Sequence, residues 1–144
     1  MTITGGRTVR FEVTGKVEGQ PRPRMMRSGH AYSPMCAWRK LVAQAWRDSR
    51  AKGFGDAPVI VEIKTHRRKA KGSGRKPEVD VYKPDIDNIL KAALDGLVDA
   101  GAIEDDRQVI AVTIAKHPRT HMEDDEEEWT EIAISEWVTA LEDE

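Results

Sequence analysis

The run Lys83-Pro84-Asp85-Ile86-Asp87-Asn88 sets two carboxylates two positions apart, with Lys91 further along and an acidic pair at Asp105-Asp106. Carboxylate oxygens are the ligands that a small, hard cation such as Mg²⁺ takes. Mg²⁺ suits phosphodiester cleavage because it neutralises phosphate oxygens and lowers the pKa of a bound water. Three carboxylates leave coordination positions for water and phosphate. A lysine one helical turn away can meet charge that develops on the phosphate or on the departing oxygen. The spacing leaves a structural alternative open. Lys83 precedes a proline and is biased to extended backbone, so Asp85 is a natural N-cap, and the helix dipole favours Asp87 in the first turn. Lys91 is then only an i,i+4 surface partner of Asp87 or Asp95, worth roughly a few tenths of a kcal/mol.

Other chemistries have weaker support. The histidines are His30, His66, His117 and His121. His117 and His121 have i,i+4 spacing, but Pro118 lies between them in a polar loop, which argues against a helical zinc pair. No glycine-rich phosphate loop or Gly-x-Ser-x-Gly elbow is present, so no organic cofactor is expected. The single Cys36 excludes an intramolecular disulfide and a cysteine-rich zinc site, and suits a reducing cytoplasm.

Placing the acidic groups together requires a helix and a turn. Ile86, Ile89, Leu90, Ala93, Leu94, Leu97 and Val98 repeat with helical spacing, and Gly101 closes the run. Asp87, Lys91 and Asp95 recur every four residues on the opposite face. A strand at 109–114 can run back beside this helix and bring a carboxylate of Asp105-Asp106 toward Asp85 and Asp87. Upstream, Val9, Phe11 and Val13 alternate with polar neighbours and predict a first strand. Trp38, Leu41, Val42, Ala45 and Trp46 predict a helix that stops at Gly53, and residues 59–63 and 129–134 predict further strands. The order strand, helix, strand, helix, strand, strand predicts an α/β (α+β) domain, a small mixed sheet of about four strands carrying two main helices. One domain, 1–144, is expected, with its core at about 9–135 and an acidic tail at 136–144.

A hydrophobic fraction of 39% with 33% charged residues describes an ordinary folded protein. There is no apolar run of about 18 residues and no signal-peptide stretch, so neither a membrane span nor export is expected. The net charge of −2 conceals an asymmetry: residues 1–83 carry 19 Lys/Arg against 7 Asp/Glu, and residues 84–144 carry 4 against 18. A basic half suits a polyanion and an acidic half suits a cation. Within the basic half, 15–34 reads as a loop that offers Arg22, Arg24, Arg27 and Tyr32 to nucleic acid, with prolines stiffening Pro21-Arg22-Pro23-Arg24. Residues 66–83 have almost no apolar side chains and read as an exposed, mobile basic loop, with Arg67, Arg68, Lys69 and Lys83 as phosphate contacts. The acidic run at 123–128 reads as a solvated loop.

The stretch from Lys83 to Leu97, Lys-Pro-Asp-Ile-Asp-Asn-Ile-Leu-Lys-Ala-Ala-Leu-Asp-Gly-Leu, followed by Asp105-Asp106-Arg107-Gln108-Val109, resembles the RusA-like Holliday junction resolvases. These are crossover junction endodeoxyribonucleases of bacteria and their phages. Arg22-Pro23-Arg24 and Ala31-Tyr32-Ser33-Pro34 look similar too, so the resemblance covers about 9–135. It implies a homodimeric, Mg²⁺-dependent enzyme (Mn²⁺ can substitute) that binds four-way DNA junctions and nicks two opposed strands in recombination and repair. By position, Asp85, Asp87 and Asp106 look like the metal-binding carboxylates and Lys91 like the catalytic lysine. Asp105 takes the place of Asp106 if the turn is read one residue earlier. Two cuts related by two-fold symmetry also call for two chains, since each carries one candidate site. The expectation is a cytoplasmic, structure-selective endodeoxyribonuclease encoded by a bacterium, phage or prophage. A non-catalytic DNA-binding protein, or a nuclease of forks, flaps or RNA, is the alternative.

Overall fold

Period-two alternation builds a sheet in this chain, and two 3.6-residue repeats build the helices laid on it. The computed structural model describes residues 2–21, 24–32, 36–72, 74 and 76–140. Its elements are β1 (Thr2–Thr14), a small hairpin of β2 (Arg24–Met25) and β3 (Ala31–Tyr32), α1 (Ala37–Ser49), β4 (Val59–His66), α2 (Ile86–Asp99), a 3₁₀ turn (Asp106–Gln108), β5 (Val109–Lys116) and β6 (Trp129–Ala140). The main sheet has the order β1-β6-β4-β5. β6 runs antiparallel to both β1 and β4, whereas β4 and β5 are parallel. This is the mixed four-stranded sheet with two helices that the sequence predicts.

Alternation decides what each strand buries. Val59, Val61 and Ile63 of β4 are fully buried, and Val61 pairs with Ile134 and Ile63 with Ile132 on β6. The helices supply Trp38, Val42 and Trp46 from α1 and Ile89, Ala93 and Leu97 from α2 to the same core. Each large apolar side chain sealed there contributes about 1.5–3 kcal/mol. The helices cross closely because Gly96 has no side chain: a Cβ there would lie 2.7 Å from the Arg39 carbonyl oxygen.

A parallel pair needs a crossover, and α2 is the helix of the β4-α2-β5 crossover. It ends as predicted just before Gly101, whose φ of +77° lets Ala102 N–H reach the Leu97 carbonyl at 2.9 Å. α1 ends earlier than expected, at Arg50 in the left-handed conformation (φ 58°), not at Gly53. Gly53 serves close packing instead, since a Cβ there would lie 2.5 Å from the Gly101 oxygen.

Two expectations are corrected. Residues 66–83 are not a detached exposed loop. They pair with the segment after β5, through Lys69 N–H to Thr120 O and a reciprocal pair between Glu78 and Arg119, and they bury Arg67, Lys69 and Asp80. Charge composition misled here because the cations are matched by carboxylates and carbonyls that are remote in sequence. Nor do residues 136–140 form a tail: β6 carries them alongside β1, with Ala140 opposite Thr2. Among the described residues no helix is long and apolar enough to cross a membrane.

Candidate active site

The mouth of α2 presents the first two aspartates. Asp85 occupies the N-cap with extended backbone (φ −69°, ψ 155°), yet its side chain makes no capping hydrogen bond. Asp87 sits in the first turn. Both carboxylates are exposed, and neither pairs with a described residue. The capping alternative therefore leaves the Asp85 carboxylate unused. Asp85 and Asn88 border a groove of about 600 Å³, with Lys16, Glu18 and Lys83 on its other sides. The segment carrying Lys16 lies flat on α2: Gln20 N–H donates to Asn88 O at 3.0 Å, and a Cβ on Gly19 would come within 2.8 Å of Pro84 and Asn88.

One turn beyond Asp87, Lys91 stands between two acids. Its Nζ lies 3.2 Å from Asp95 and 3.7 Å from Asp106. Asp95 is approached from its other side by Arg39 at 3.8 Å. Arg39 forms a two-point bond with Asp99, Nε to Oδ2 at 2.6 Å and Nη2 to Oδ1 at 2.9 Å. That contact holds the Asp99 carboxyl below the usual carboxylate range and raises the Arg39 guanidinium. α1 thus braces the face of α2 that carries Lys91.

The turn before β5 assigns different work to its two aspartates. Asp105 is a true cap: its Oδ1 accepts the Arg107 N–H at 2.9 Å, a bond that depresses its carboxyl. Gln108 Oε1 accepts the N–H groups of Glu104 at 2.8 Å and Asp105 at 3.0 Å, while its Nε2 donates to Gly55 O and Ala57 O. The turn is anchored on both sides, and Asp106 is left to project toward Lys91. In Asp-Asp-x-Gln-Val the first Asp and the Gln build the turn, and the second Asp faces the helix.

The structure brings Asp106 to Lys91, at 3.7 Å. Asp106 lines a hollow with Arg39, Asp95 and Asp99, separate from the groove at Asp85. Among the described residues no three His, Cys, Asp or Glu side chains stand close enough together to hold a metal ion. The donor chemistry still suits a hard cation: Asp85 and Asp87 offer solvent-facing carboxylates that no structural bond consumes.

The expected DNA contacts divide. Arg22 lies outside the described residues, as do the side chains of Arg24 and Tyr32, whose backbones pair across the β2–β3 hairpin. Arg27 and Lys83 are exposed. Arg67, Arg68 and Lys69 are corrected from free phosphate contacts to structural cations. Arg67 Nη1 lies 3.2 Å from both oxygens of Asp80, and its Nη2 donates to Lys83 O at 2.8 Å. Arg68 binds the carbonyls of Met122, Glu123 and Glu126. Lys69 Nζ donates to Lys76 O at 2.5 Å. In the acidic run, Glu128 departs from the expected solvated loop, accepting the N–H groups of Val17 and Arg68.

Sequence reasoning missed Asp80, Lys116 and Arg39. Asp80 carried one faint signal, as one of two acids in an otherwise basic segment. Lys116 carried none, because a lysine at a strand end is ordinary.

The profile of the family described as endodeoxyribonuclease RusA matches residues 14–134 of the 144. No curated protein is similar enough to the chain to be matched with it.

Proposed function

The chain belongs to the endodeoxyribonuclease RusA family, and we propose that it is a Mg²⁺-dependent enzyme that resolves four-way DNA junctions by paired, symmetric nicks. The observation that carries this reading is the pair of uncommitted carboxylates at the mouth of α2, one turn from a lysine poised against Asp106. Asp85, Asp87 and Asp106 would hold the cation. When bound, Mg²⁺ or Mn²⁺ supplies a Lewis acid at the phosphate and a water of lowered pKa.

The chain's own residues do the remainder. Asp95 and Asp106 hold the Lys91 ammonium on the α2 face shared with Asp87, where it can neutralise charge developing on phosphate oxygens. Lys16 and Lys83 border the groove at Asp85 and offer positive charge to the backbone of an approaching strand. Cleavage leaves a 5′-phosphate and a 3′-hydroxyl. One site per chain supports a homodimer, which sets two sites across the two-fold axis of a junction.

The test incubates labelled four-way junction, fork, duplex and RNA with the protein, with and without Mg²⁺ or Mn²⁺. Symmetric, religatable nicks confined to the junction are expected, with Asp85→Asn and Asp87→Asn binding the junction but not cutting it. Cutting in EDTA, or full activity of either variant, would overturn the metal assignment. Salt-sensitive binding without nicking under any cation would make the chain a DNA-binding protein, and preference for forks or RNA would move its target.

A further inference from the structure

We propose that Asp80 is a positioning residue for the catalytic aspartates, acting through two buried cations that fix the backbone leading into α2. The inference rests on the active-site reading of Asp85 and Asp87, but its geometry stands apart from them. The Asp80 side chain is wholly buried, and the cationic side chains that reach it, Arg67 and Lys116, are 9% and 10% exposed. Arg67 Nη1 contacts both carboxylate oxygens at 3.2 Å, and Lys116 Nζ stands 3.9 Å from Oδ1. Tyr82 N–H closes back on Oδ1 at 3.3 Å.

One carboxylate cannot neutralise two buried cations, and the remaining donors must find acceptors. Three of them meet consecutive carbonyls, while Arg67 Nε is buried without a hydrogen-bond partner among the described residues. Lys116 Nζ donates to Tyr82 O and, at 3.1 Å, to Pro84 O, while Arg67 Nη2 donates to Lys83 O at 2.8 Å. Every carbonyl between Val81 and Asp85 is therefore tied to a cation that Asp80 holds. If one turned away, a buried charge would lose part of its solvation. The next residue is Asp85, whose own side chain has no capping bond to fix it. Its direction is set by the backbone delivered to it, and that backbone is set from the ends of two parallel strands, since Arg67 follows β4 and Lys116 closes β5. A carboxylate wholly excluded from solvent cannot touch DNA or a metal on the surface, so its role runs through this segment.

The test compares Asp80→Asn and Lys116→Gln with Glu128→Gln. Glu128 accepts the N–H groups of Val17 and Arg68, and no hydrogen bond joins its side chain to residues 82–84 among the described residues. Amide hydrogen exchange of the DNA-free protein is read first. Both test variants should lose protection at the bonded amides of this stretch, Val81, Tyr82 and Ile89, and keep it in β4 and β6, whereas Glu128→Gln should leave those amides protected. Junction cleavage at saturating enzyme should then fall about tenfold or more, with the divalent-ion concentration for half-maximal rate rising several-fold and junction affinity held. Lys116→Gln leaves the Arg67–Asp80 pair intact and carries the test if Asp80→Asn does not fold. Unchanged protection of Val81, Tyr82 and Ile89, or cleavage at the wild-type rate and ion dependence, would overturn the proposal. So would an equal loss of cleavage in Glu128→Gln. If the wild type cuts no DNA, the nuclease reading fails, and the exchange result still decides whether Asp80 fixes the segment.

Discussion

Adjacent aspartates of identical chemistry can be separated by what their oxygens already do. Asp105 spends its carboxylate on the Arg107 N–H and sits in a turn that Gln108 closes, whereas Asp106 pairs with Lys91 at 3.7 Å. Asp106→Asn should therefore abolish junction cleavage and leave the melting temperature near that of the wild type. Asp105→Asn should lower the melting temperature while retaining most of the cleavage rate, because an amide oxygen still accepts the cap bond, though without its charge. Single-turnover cleavage read beside thermal melting decides between them, and the reverse pattern would shift the metal role to Asp105. The sequence motif left this choice open. A one-residue slip in a turn changes nothing in composition or periodicity, whereas the hydrogen bonds of Asp105 and Gln108 show which residues build the turn.

Among the elements, α2 was the most legible, because a long amphipathic repeat between Asp85 and Gly101 has few alternative readings. The segment before it was the least legible. Its stability comes from Asp80, 13 residues beyond Arg67, and from Thr120, 51 beyond Lys69, and no local pattern reports such partners. The brace between the helices was equally silent, since Arg39 and Asp99 are 60 residues apart. That brace makes a prediction about pH. Asp99 is held below its ordinary range by Arg39, so its contribution is complete above the unfolded value of about 4 and is lost as pH falls through the lower folded value. Asp99→Asn should melt below the wild type by a constant margin between pH 5 and pH 8, taken as roughly the range where carboxylates are ionised. The margin should narrow in more acidic buffer. A margin independent of pH down to full acid unfolding would show that the Arg39–Asp99 bond is not the brace.

Over the whole molecule the charge asymmetry of the sequence is partly consumed by folding. Arg67, Arg68 and Lys69 are spent on Asp80, on three carbonyls after β5 and on Lys76, and the exposed Lys71 lies 3.5 Å from Asp124 of the acidic run. Among the described residues, the exposed cations that border the groove at Asp85 are Lys16 and Lys83. Counting lysines and arginines along the chain therefore overstates the phosphate-binding surface. Salt dependence can measure the difference, because each phosphate contact releases counterions and adds about 0.9 to the slope of log affinity against log salt on duplex arms. Lys83→Ala should weaken junction binding and lower that slope by about one contact's worth, with little change in melting. Arg68→Ala should do the opposite: its guanidinium lies on the carbonyls of Met122, Glu123 and Glu126, so its loss should lower the melting temperature and leave the slope unchanged. The measurement is a binding series from low to moderate salt, read beside melting curves of the same proteins. If Arg68→Ala lowered the slope as much as Lys83→Ala, the segment that carries Arg68 would have to open when the junction binds, and the positions of its cations in the free protein would not be those that meet DNA.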